Sequence, residues 1–79
     1  MYKFEVSISS INEVKEFVNA ACKQMCDIDI ISGRYVIDAK SIMGIFSIDL
    51  TKPVTVSVNG TEDEYNAFRE SVKSMIVNA

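Results

Sequence analysis

Few side chains in this sequence are equipped for chemistry, and their spacing narrows what that chemistry is. Cys22 and Cys26 stand four apart, a separation open to a thiol pair or to half of a metal site. Structural zinc takes four ligands, so the simpler reading makes Cys22 a small core residue and Cys26 a residue near a helix end. The sequence contains no histidine. That removes imidazole acid–base catalysis, histidine metal ligation and any phosphohistidine relay. The remaining candidate is Ser41 in "AKSIMGIFSIDL", residues 39–50, where Lys40 and the serine lead into a run that is apolar almost all round. Such a stretch is either a helix N-cap over buried core or a surface that another protein reads.

The elements around these residues follow from periodicity. Residues 2–8 alternate, with Tyr2, Phe4, Val6 and Ile8 on one side and Lys3, Glu5 and Ser7 on the other, which predicts a half-buried strand. "SINE" offers Ser10 as N-cap with Glu13 three residues on, a capping box. Val14, Phe17, Val18, Ala21 and Met25 then form one apolar stripe, predicting a helix from about Ile11 to Met25. "DIDIISGRYVID" reads as a hairpin turning at Ser32-Gly33. "SIMGIFSI" predicts a short helix opening at Ser41. In "PVTVSVN" Pro53 suits a strand start, with Val54, Val56 and Val58 inward and Thr55, Ser57 and Asn59 outward. A second capping box, Thr61 and Glu64, opens a last helix through "GTEDEYNAFRESVKSMIVNA", with Tyr65, Phe68, Val72, Met75 and Ile76 as its stripe.

The order β-α-β-β-α-β-α, with one polar face on the strands, predicts an α+β open-faced β-sandwich: a four-stranded antiparallel sheet with helices on one face. Phe17, Val18, Val56, Phe68 and Val72 are its expected core. A chain of 79 residues is read as one domain over 1–79, with 48% hydrophobic residues to build that core. The net charge of −3 argues against unspecific nucleic-acid binding. No window reaches the ~18 apolar residues of a membrane span and no signal-peptide pattern is expected, so the cytoplasm is the default. No cofactor is implied.

In the short helix, Ile42, Met43, Ile45 and Phe46 cannot all face one core. Ile42 and Ile45 share an i, i+3 face, which leaves Met43 and Phe46 as the exposed pair. A contiguous apolar patch beside a serine is better explained as a docking surface than as incidental exposure.

At "KSIMGI" the sequence resembles the HPr family, the small phosphocarrier proteins of the bacterial phosphoenolpyruvate-dependent sugar phosphotransferase system. The βαββαβα order, the "SG" hairpin and the acidic "GTEDE" helix start are similar too. The resemblance implies that Ser41 corresponds to the serine phosphorylated by the ATP-dependent HPr kinase/phosphorylase, and that Lys40, Ile42, Met43 and Phe46 lie where partner proteins dock. A phosphate on a serine at a helix start meets unpaired backbone N–H groups and the positive end of the dipole, and Lys40 is placed to offset its charge.

Two departures from the family qualify the function. The loop that carries the phosphoryl-accepting histidine is missing, because "SISS" runs directly into "INEVKEF". Asp49 also stands where the family usually has glycine. The expected function is therefore a regulatory or protein-binding module without enzyme activity, resembling the catabolite-repression HPr-like proteins whose phosphoserine form binds a transcriptional regulator. An active phosphocarrier is disfavoured for want of an imidazole, and a fold-only assembly partner is the remaining alternative.

Overall fold

The computed structural model of the chain describes residues 2–78. Its elements are β1 (Tyr2–Val6), α1 (Ile11–Cys22), β2 (Asp27–Ser32), β3 (Tyr35–Asp38), α2 (Ile42–Phe46), β4 (Val54–Asn59), α3 (Glu62–Ser71), a 3₁₀ turn (Lys73–Met75) and β5 (Ile76–Asn78). The strands form one antiparallel sheet in the order β3-β2-β4-β1-β5. Alternation puts Phe4, Val6, Ile28, Ile30, Val54, Val56 and Val58 on the buried face. Lys3, Glu5, Asp29 and Thr55 turn the other way. The open-faced α+β fold is the expected one.

Five strands stand where four were predicted. The last helix ends at Ser71, and Val72 leaves helical geometry at φ −118°, ψ 19°. After the 3₁₀ turn, Ile76 pairs with Val6 and Asn78 with Glu5, covering the free edge of β1. Ala79, the final residue of the predicted helix, lies outside the described residues. The first helix is also shorter than predicted. It ends at Cys22, where the N–H groups of Lys23 and Gln24 donate to the carbonyls of Ala20 and Ala21 and tighten the last turn.

That early end changes which residues α1 buries. Val14, Phe17, Ala20 and Ala21 are buried, Val18 only packs beside the core, and Met25 is exposed beyond the helix. Cys22 is exposed rather than in the core, because Ala20 completes the buried face and rotates it away from Cys22. Phe17, Phe68 and Val72 are fully buried as expected.

Aromatic rings tie the layers together. Phe17 of α1 meets Phe68 of α3 edge-on at 5.4 Å, and Tyr65 of α3 stacks on Tyr2 of β1 at 4.6 Å. The hairpin turn is one residue later than predicted, with Gly33 and Arg34 linking the paired Ser32 and Tyr35. Gly33 has φ +59°, the conformation that favours glycine at the first central position of such a loop. Ser57 faces outward yet is buried, since β4 has a neighbouring strand on each side.

Candidate functional site

Different segments border the two ends of α2: the Asp38–Ser41 turn at its start, and, beside Phe46, the β1–α1 connection with the loop that follows α2. Ser41 is extended at φ −101°, ψ 105°, and its Oγ accepts the N–H of Gly44 at 3.2 Å. It is therefore the N-cap of α2, as the sequence predicted. The helix has only five residues, so the cap holds a large share of its backbone donors. Packing favours glycine at position 44. A Cβ there would lie 2.6 Å from Cγ2 of Ile37, so the α2 backbone rests on the Ile37 side chain of β3.

The apolar residues of α2 divide as their spacing requires. Ile45 is fully buried and Ile42 packs against the core. Met43 is 76% exposed and Phe46 46% exposed. The candidate docking residues are thus split: Met43 and Phe46 face solvent, while most of Ile42 faces inward.

The backbone of Lys40 closes the turn that precedes Ser41, its N–H donating to Asp38 Oδ1 at 2.9 Å. The Lys40 charge is the smallest of the influences on Glu64 and Cys26, favouring the ionised form of each. Even so, the Cys26 thiol is pushed up, first by burial and then by the Glu64 carboxylate. Neither cysteine is disulfide-bonded. Among the described residues no group of three or more histidine, cysteine, aspartate or glutamate side chains is arranged to hold a metal. No helix among them is long and apolar enough to cross a membrane.

Beside α2 lies a groove of about 470 Å³, lined by Ser9, Ser10, Ile11, Phe46, Leu50 and Thr51 among others. Ile11, 63% exposed, lines this groove together with Phe46. Sequence reasoning read Ile11 only as a helix start. The available signal was its place at N1, beyond the inward stripe that begins at Val14.

Capping holds the groove's rim. Ser10 Oγ accepts the N–H of Glu13 at 3.2 Å. The Glu13 carboxylate closes on the N–H and Oγ of Ser9, at 2.8 and 2.7 Å, so the reciprocal half of the predicted box falls one residue early. These Ser9 bonds hold the Glu13 carboxyl below its usual range. On the other side Asp49 accepts both the N–H and the hydroxyl of Thr51, and its pKa is lowered by the same two bonds. This local turn needs no positive φ, so an aspartate is accommodated at position 49.

Comparison with known proteins places this geometry. The family model for the PTS HPr component phosphorylation site matches residues 6–77. No curated protein sequence matches the chain. Among solved structures, HPr-C-His from Thermoanaerobacter tengcongensis superposes with a TM-score of 0.77 at 25% identity, over 94% of this chain and 93% of that one. The phosphocarrier protein HPr from Bacillus anthracis gives 0.72 at 25% identity, over 94% and 95%. A histidine-containing phosphocarrier protein from Mycoplasma gives 0.73 at 22% identity, over 92% and 89%, and shows the fold alone.

Proposed function

This chain belongs to the HPr family, the phosphocarrier family of the phosphotransferase system, and from that premise we propose that it is a regulatory, protein-binding member rather than a carrier. The observation that carries this reading is the absence of histidine from the whole sequence. Phosphoryl transfer through a phosphohistidine needs an imidazole nitrogen, and no other side chain here supplies that chemistry. The four residues between β1 and α1 are Ser7, Ile8, Ser9 and Ser10, and none is an equivalent carrier.

What the chain retains is the region around Ser41. A phosphate there adds about −1.5 to −2 charge. Its oxygens would take over the Gly44 N–H that Ser41 Oγ now accepts, leaving the fold in place. The partner then reads the phosphate by charge-assisted hydrogen bonds and packs on Met43 and Phe46, with Ile11 and Leu50 beside the groove. The HPr kinase/phosphorylase and a transcriptional regulator are the partners of choice, in the cytoplasm.

Incubation with phosphoenolpyruvate, enzyme I and magnesium tests the loss of the carrier role. No acid-labile phosphoryl adduct is expected. Onward transfer to a sugar-specific component would restore the phosphocarrier reading.

A further inference from the structure

We infer that two copies of this chain pair antiparallel along the free edge of β3, with Val36 opposite Val36 on the dyad. Strand β3 ends the sheet, next to β2 alone. Ser32 and Tyr35 close a two-residue turn, and the Ala39 N–H donates to the Ile28 carbonyl. Tyr35, Ile37 and Ala39 therefore bond toward β2, which turns the N–H and C=O of Val36 outward. Edge strands are ordinarily blunted by lysine, proline or a bulge. Tyr35-Val36-Ile37 has neither residue, and its register with β2 is unbroken. Tyr35 is 68% and Val36 65% exposed.

The second copy is singled out by charge. A two-fold pairing centred on Val36 sets Arg34 of each chain opposite Asp38 of the other, twice over. Asp38 lies on the face bearing Val36, away from α2, because its neighbour Ile37 points under Gly44, and Arg34 leads into β3 from the hairpin turn. Asp38 already faces another carboxylate, Asp29, directly across the β2–β3 ladder. Like charges so placed are destabilising. Among the described residues neither carboxylate, nor Arg34, has an ion-pair partner. The second copy brings a guanidinium to each carboxylate pair, and the Val36 backbones exchange two hydrogen bonds. The contact is self-complementary, as a two-fold interface requires.

Sedimentation equilibrium of the full chain, from micromolar to near-millimolar, should show a monomer–dimer equilibrium. Arg34→Asp alone and Asp38→Arg alone each put like charges at both cross-strand positions, and each should weaken the dimer about tenfold or more. Mixing the two variants restores opposite charges at both positions, and a heterodimer should recover. Val36→Lys, on the exposed edge, should give a folded monomer by circular dichroism; it carries the test alone if Asp38→Arg fails to fold. A wild-type chain that stays monomeric throughout overturns the inference, and an added extended peptide binding at β3 would then assign the edge to another protein. A dimer indifferent to Val36→Lys, or charge-reversed variants that fold but do not recover on mixing, overturns it equally.

Discussion

The backbone of Gly44 sits directly on the side chain of Ile37, so close that a Cβ on Gly44 would come within 2.6 Å of Ile37 Cγ2. The position of α2, and of Ser41 at its start, is set by this contact together with the burial of Ile45.

Gly44→Ala should therefore destabilise the protein by roughly 1–3 kcal/mol, the usual cost of overpacking, although alanine is the better helix former. Ile37→Ala makes room for the added methyl. In urea denaturation the double variant should lose clearly less than the two single losses added together. Additive losses would mean that α2 does not rest on Ile37.

The capping carboxylates make stability depend on acid pH. Glu13 and Glu64 both have lowered pKa values in the fold, chiefly through the Ser9 and Thr61 hydrogen bonds respectively. A carboxylate depressed by folding contributes stability above its unfolded pKa, and that contribution is lost as pH falls through the folded value. Melting temperature should hold at neutral pH and drop once pH goes below about 4.3, the ordinary glutamate value. Glu13→Gln with Glu64→Gln should lower the neutral-pH melting point and flatten the acid limb. An acid limb as steep as wild type would remove the caps from the explanation.

The exposed pair on α2 should separate binding from folding. Met43→Ala with Phe46→Ala should keep the circular dichroism spectrum and a cooperative melt, since Met43 is largely solvated and Phe46 half so. Affinity for the HPr kinase, measured by titration calorimetry, should fall. A variant that unfolds would place these side chains in the core and answer the docking idea negatively.

The fold was legible because its strands and helices are amphipathic at distinct periods. What escaped did so for identifiable physical reasons. Val72, Met75 and Ile76 fit a helical stripe, but a 3₁₀ turn also brings residues three apart onto one side. Val72 and Met75 are buried as foreseen, while the backbone has already left the helix and begun β5. Met25 matched the α1 stripe by spacing alone, and nothing in its side chain announces that β2 must start at Asp27. At the candidate site, Ser41 as N-cap and the exposure of Met43 and Phe46 were readable from local rules. Ile11 and Leu50 join Phe46 only through the tertiary approach of two loops, which no local pattern encodes.

The central claim, a switch at Ser41, is tested most directly by intact-mass measurement after incubation with HPr kinase and ATP. One acid-stable phosphate is expected, with none on Ser41→Ala. Thermal stability of the modified form should be unchanged or higher by about 0.3–1 kcal/mol, the value of an exposed charge at a helix start. If the kinase leaves this chain unmodified while phosphorylating a histidine-bearing HPr in the same tube, the switch is contradicted.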